Sequence, residues 1–62
     1  MPIQQMLADL IKLGFSQKAI AERVGTSQPT IHRASKGAGI SYEIGKAIES
    51  MHTEAVASQS AA

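Results

Sequence analysis

The sequence predicts a compact all-α fold, a bundle of four short helices. Three observations support this prediction. Apolar residues recur at spacings of three and four, which is the period of a helix with one buried face. No stretch alternates apolar and polar residues in the manner of a half-buried strand. Aromatic residues make up only 3% of the chain, whereas strands are usually rich in them.

The length of 62 residues allows one domain at most. We expect a folded domain at residues 1–52 and a flexible tail at residues 53–62, which consists largely of alanine and serine. The chain has no cysteine, so neither a disulfide nor a thiolate zinc site is expected. It also has no apolar run of the roughly 20 residues that span a membrane and no secretion signal. We therefore expect a cytoplasmic protein.

The first two helices are predicted from apolar spacing and from residues that start and stop helices. We expect the first helix at residues 2–13, with Pro2 as its first helical residue. Its apolar stripe would consist of Ile3, Met6, Leu7, Leu10 and Ile11. We expect the second helix at residues 17–24, with Ser16 as its N-cap and Gly25 as its stop.

The third helix is predicted at residues 28–36. Its N-cap is Ser27 or Gln28, because Pro29 disfavours a helical backbone at the residue before it. The inner face of this helix would carry Ile31 and Ala34. The helix would end at the segment Gly37-Ala38-Gly39, which follows residue 36.

The fourth helix is predicted from residue 41 to at least residue 51, with Ser41 as its N-cap. Its inner stripe would consist of Ile44, Ala47, Ile48 and Met51. Tyr42 could either close the core or contact a phosphate, and the first interpretation is preferred.

Positive charge is concentrated in the middle of the chain. Residues 16–37 hold four of the six lysines and arginines but only one of the five acidic residues. This distribution fits an anionic partner that docks on one face. Ordinary solvated surface charge is the alternative interpretation.

The block from Gln17 to Ala34, QKAIAERVGTSQPTIHRA, has the spacing of a DNA-binding helix-turn-helix. Ala21 is small and would let the third helix cross close over the second. Gly25 would form the tight turn, where a positive φ is cheap only without a Cβ. The apolar residues that would lock the two helices at a steep angle are Ile20, Val24 and Ile31. The side chains left facing solvent on the third helix would be Gln28, Pro29, His32, Arg33 and Lys36.

The stretch LGFSQKAIAERVGTSQPTIHRASKG resembles the helix-turn-helix of the lambdoid-phage repressors and Cro proteins. The matching residues are Leu13, Gly14, Gln17, Ala21, Val24, Gly25, Thr26, Gln28, Ile31 and Gly37. The resemblance covers about residues 3–51. It implies a lambda-repressor-like domain, dimeric binding to a double-stranded DNA operator, and transcriptional repression. It also implies that Gln17 contacts a phosphate, that Gln28 reads a base, and that Arg33 faces DNA.

The sequence departs from this family at three points. Pro29 stands where such proteins often have a polar base reader, so it could pack on a thymine methyl but could not form a hydrogen bond. Ala34 is smaller than the usual large apolar residue. The chain is also expected to lack the fifth helix of several members. Apolar residues of the fourth helix or the tail are then the candidate contacts of a homodimer, which could form mainly on DNA.

Side-chain chemistry adds to these assignments. Glutamine can pair with adenine and arginine with guanine, so Gln28 and Arg33 are the expected base readers. His32 could reach a base edge or a phosphate, or could be an ordinary solvated residue. Thr30 could bond a phosphate or touch a methyl group. The other candidates for contacts with the DNA backbone are Ser16, Gln17, Lys18, Ser27 and Lys36.

The main alternative is an antitoxin-like or structural helical module that binds another protein and whose basic face is incidental. RNA binding is weaker, because readers of single-stranded RNA usually offer stacking aromatics. We expect no enzyme, since His32 and Ser35 have no acid or oxyanion device beside them. We expect no cofactor, small-molecule substrate or metal either, because His32 and His52 lie on different segments without ligand spacing.

Overall fold

The computed structural model describes residues 2–61 and contains four helices. They are α1 (Ile3–Lys12), α2 (Gln17–Val24), α3 (Gln28–Ser35) and α4 (Tyr42–Ala61). No strand occurs in the described part of the chain, so the predicted all-helical class is confirmed. No helix within residues 2–61 is both long and apolar enough to span a lipid bilayer.

The helices pack in a closed arrangement in which both α1 and α2 contact α3 and α4. The 20 residues of α4 make it about 30 Å long, which is close to the longest dimension of the molecule, 32 Å. All four helices contribute to the apolar core, whose members are Met6, Leu7, Leu10, Ile20, Ala21, Val24, Ile31, Ala34, Ile48 and Met51. No polar or charged residue is buried among the residues described, so the fold is held together mainly by apolar packing.

The helix boundaries follow the sequence most closely at α2. Its bounds are those predicted, and Ser16 Oγ accepts a hydrogen bond from the backbone N–H of Ala19 at 3.0 Å. Pro2 differs from its prediction, because its ψ of 147° is extended and makes it the N-cap of α1. At the far end, α3 stops at Ser35, one residue before the predicted end.

Two side chains assigned to the core lie on the surface. Ile11 is 44% exposed, because on a 100° wheel it lies at the edge of the stripe centred on Leu7 and Leu10. Tyr42 is 78% exposed, and Lys46 Nζ lies 5.7 Å from the centre of its ring. Ile40 and Ile44 pack against the core at this end of α4. The interpretation of Tyr42 as a core residue is therefore wrong.

The last helix runs beyond residue 51, the minimum end predicted for it. The structure continues α4 to Ala61, and residue 62 lies outside the described residues. The flexibility expected of residues 53–62 stays a prediction. Ala55 packs against the core. Two side-chain contacts also hold α4 here, His52 to Asp9 at 3.0 Å and Glu54 to Arg23 at 3.5 Å. These contacts lie beside residues 53–61, where Val56 is the one large apolar residue.

The contact between Asp9 and His52 should make stability depend on pH. Asp9 Oδ2 accepts a hydrogen bond from His52 Nε2, and Asp9 Oδ1 accepts one from Gln5 Nε2. These bonds, the His52 bond foremost, hold the pKa of the Asp9 carboxyl below its usual value of 3.8. The resulting stabilisation is present above that usual value and is lost as the pH falls through the lower folded pKa.

We expect Asp9→Asn to lower the melting temperature at pH 7, with the difference from the wild type shrinking as the pH falls below about 4. Thermal unfolding followed by far-UV circular dichroism across this range measures the effect. Glu49→Gln is the matched control, because Glu49 is exposed and makes no ion pair among residues 2–61. A difference between Asp9→Asn and the wild type that stayed constant down to pH 2 would contradict the assignment.

Gly25 ends α2 in the left-handed conformation, with φ of 84°. A Cβ placed there meets no atom within 4 Å, so Gly25→Ala adds backbone strain without a clash. We expect a loss of about 1–2 kcal/mol in the free energy of unfolding, which lowers the melting temperature by at least about 4 °C. Gly39→Ala is the control, because Gly39 is equally open but has no positive φ. Equal melting temperatures for the two variants would refute this explanation.

Candidate nucleic-acid interface

The α2–α3 unit consists of two eight-residue helices joined by the turn at residues 25–27. The backbone N–H groups of Gly25 and Thr26 both donate to the carbonyl oxygen of Ala21, at 3.0 and 2.9 Å. These bonds close the end of α2, and α3 begins three residues after Gly25. The apolar side chains predicted to join the two helices are all buried, namely Ile20, Ala21, Val24, Ile31 and Ala34.

The outer face of α3 is the surface that this packing leaves to solvent. The five side chains predicted to share it are all exposed, namely Gln28, Pro29, His32, Arg33 and Lys36. On a helical wheel they span about 140°, opposite the buried pair Ile31 and Ala34. The face is polar or basic except at Pro29. It therefore offers hydrogen-bond donors, an amide acceptor and one apolar ring.

A short hydrogen bond joins the first residues of the two helices. Gln28 Nε2 donates to Gln17 Oε1 at 2.6 Å, and Gln17 is half-buried. A glutamine amide carries two N–H groups and a carbonyl, so one N–H and the carbonyl of Gln28 are not used in this bond. The contact fixes the direction of the Gln28 amide at the start of α3.

The hydroxyl groups at the start of α3 also contact each other. Ser27 Oγ lies 2.9 Å from Thr30 Oγ1, and the Ser27 side chain makes no capping bond to the backbone. Ser27 is therefore the N-cap by position, but the expected capping hydrogen bond is absent. Only one hydroxyl hydrogen is used between the two groups, which leaves the other hydroxyl able to donate to a partner.

The positive charges of the central segment fall into two groups. Arg23 contacts Glu54 on α4, so its charge is partly balanced away from the outer face of α3. Lys18, Arg33 and Lys36 are exposed and take part in no ion pair within residues 2–61. These three side chains are the basic groups that can meet an anionic ligand near α3.

The surface also carries an open apolar groove along α1. Ala8 and Ile11 lie in this groove, and Gln17 and Ser35 line its side toward α2 and α3. Lys12 is its one titratable lining residue. The described residues contain no cluster of three or more His, Asp or Glu side chains that could hold a metal ion.

The sequence did not reveal the bond between Gln17 and Gln28, because their positions differ by eleven and no local pattern connects them. The signal that could have indicated it is a glutamine at the first position of each of two consecutive helices. The contact between Asp9 and His52 was missed for the same reason, as these residues are 43 apart.

The arrangement matches that of a small all-helical domain with one polar, basic helix face. Comparisons with protein-family models, with curated proteins and with solved structures give no match to this chain. Function is therefore inferred from the residues and their geometry.

Proposed function

We propose that the protein is a sequence-specific, double-stranded DNA-binding transcriptional regulator, a Cro-like phage repressor with a lambda-repressor-like helix-turn-helix. The observation that carries this proposal is the exposed outer face of α3, on which the Gln28 amide is oriented by Gln17. An α-helix with its side chains is about 10–12 Å across. A major groove about 12 Å wide admits a helix of this diameter.

The base contacts would come from four residues on this face. The carbonyl and the second N–H of Gln28 are the acceptor and donor that complement N6 and N7 of adenine. Arg33 has the donor fork that pairs with O6 and N7 of guanine. His32 lies between them on the helical wheel and would contact a base edge or a phosphate. Pro29, which has no donor, would make an apolar contact.

The contacts to the DNA backbone would surround the starts of α2 and α3. Helix N-termini offer unpaired N–H groups and partial positive charge to phosphates. The side chains proposed to assist them are Ser16, Gln17, Lys18, Ser27 and Thr30. Lys36, at the C-terminal end of α3, would contact a phosphate further along the backbone. Such contacts fix the position of the protein on the duplex and carry no base information.

A single domain of this size reads few base pairs, so we propose that the protein acts in the cytoplasm as a homodimer on an operator. The two half-sites would lie about one helical turn, roughly 34 Å, apart. The dimer would form mainly on DNA, with exposed apolar residues of α4 at its interface. Val56, which is 42% exposed, is one such residue.

Titration of random-sequence duplex DNA at low and moderate salt tests the proposal. We expect salt-sensitive binding, because phosphate contacts release counterions. Lys36→Ala should weaken binding to all sequences alike and reduce the slope of log affinity against log salt by about 1. Fluorescence anisotropy with a labelled duplex measures both quantities.

Arg23→Ala is the matched control for this prediction, since it removes the same charge from a residue that is directed toward Glu54. We expect it to leave the salt slope unchanged. Equal slope changes in the two variants would mean that net charge, rather than the α3 face, determines binding.

The second candidate is the protein-interaction module. The apolar groove of α1, where Ile11 is 44% exposed, favours it. This candidate predicts no binding to random duplex DNA even at low salt, whereas the proposed function requires salt-sensitive, non-specific binding to such DNA.

A further inference from the structure

We propose that Pro29 determines specificity by contacting the 5-methyl group of a thymine next to the base that Gln28 contacts. This inference rests on the proposed function and names the base class that one exposed residue would select. Pro29 is exposed in the first turn of α3 and directly follows Gln28. On the helical wheel it lies on the opposite side of α3 from the buried residues Ile31 and Ala34.

The neighbouring polar groups show why Pro29 would act differently from them. Gln28 is held by Gln17 at 2.6 Å, and the hydroxyls of Ser27 and Thr30 are 2.9 Å apart. Each of these side chains keeps hydrogen-bonding capacity for DNA. Pro29 has no side-chain polar atom and no backbone N–H, so its ring offers only apolar contact. The thymine methyl is the one apolar group that the major groove presents.

A purely structural role for Pro29 makes a different prediction. Proline is favourable in the first turn of a helix, where its missing N–H costs nothing. In that case Pro29 would affect every DNA sequence equally. A contact with a methyl group instead makes affinity depend on whether that methyl is present, and this difference separates the two roles.

The experiment begins with selection of bound sites from a random duplex pool by the wild-type protein. Each thymine of the selected site is then replaced singly by deoxyuridine, which removes only the methyl group. We expect one thymine per half-site at which the wild type binds about fourfold more weakly without the methyl, the value for one buried carbon. Pro29→Ser introduces serine, which is tolerated in the first turn of a helix. In this variant the ratio of thymine to uracil affinity should fall to about one.

The inference is overturned if the wild type binds thymine and uracil duplexes equally at every position. It is also overturned if Pro29→Ser weakens binding but keeps the same thymine-to-uracil ratio, since the role is then structural. If Pro29→Ser does not fold, Pro29→Ala takes its place in the same comparison, because a wild-type preference for thymine could also come from the methyl group of Thr30. Either result on a selected site leaves the proposed function standing, whereas absence of any DNA binding removes both.

Discussion

Replacing Gln28 by alanine is expected to reduce the preference for the selected operator over a scrambled duplex by roughly 5- to 150-fold. This range corresponds to the 1–3 kcal/mol of discrimination that one bidentate base contact provides. The amide is exposed at the start of α3 and is oriented by Gln17. Competition titrations of both duplexes at one salt concentration measure the preference directly.

The double-mutant cycle with Gln17→Ala is the control for this result. If Gln17 acts partly by orienting Gln28, the two changes should not be additive, with a coupling of at least about 0.5 kcal/mol. Arg33→Ala should likewise relax preference, at a guanine position. Unchanged affinity and unchanged preference in both Gln28→Ala and Arg33→Ala would show that α3 is not the recognition helix.

Replacing Ile31 by alanine is expected to remove a large part of the protein's stability at room temperature. Ile31 is fully buried, with 0% exposure, and it packs α3 against the rest of the core. Isoleucine-to-alanine changes in cores cost about 2–5 kcal/mol. A domain of this size has a total stability of only several kcal/mol, so the loss is comparable with the whole. Urea unfolding followed by far-UV circular dichroism measures it.

Ile31→Val is the graded control, with an expected loss of about 0.5–1.5 kcal/mol. It should remain folded and keep most of its DNA affinity. An unfolding midpoint of Ile31→Ala equal to that of the wild type would contradict the packing of α3 described above.

The fold could be predicted from the sequence where local signals agree. The bounds of α2 follow from the serine before it and the glycine after it, and the core follows from helical spacing. The extension of α4 to Ala61 could not be predicted in this way. Its support comes from His52 and Glu54, whose partners lie on α1 and α2, and periodicity within one segment does not report such contacts.

The candidate site also has one part that the sequence predicts and another that it does not. The outer face of α3 follows from a period of 3.6 residues, because Ile31 and Ala34 fix which side faces inward. The geometry of its tip does not follow from that period. The bond from Gln28 to Gln17 depends on the path of the turn between two helices, and the contact of Ser27 with Thr30 replaces a cap that local preference indicates.

The exposure of Tyr42 has a practical consequence for spectroscopy. The chain has one tyrosine and no tryptophan, so this ring is its dominant intrinsic fluorophore. Because Tyr42 is already 78% exposed, melting of the core will change its exposure to water little. Its emission will respond to whatever approaches the first turn of α4 or displaces the neighbouring Lys46. The protein thus carries a natural optical label at one end of α4.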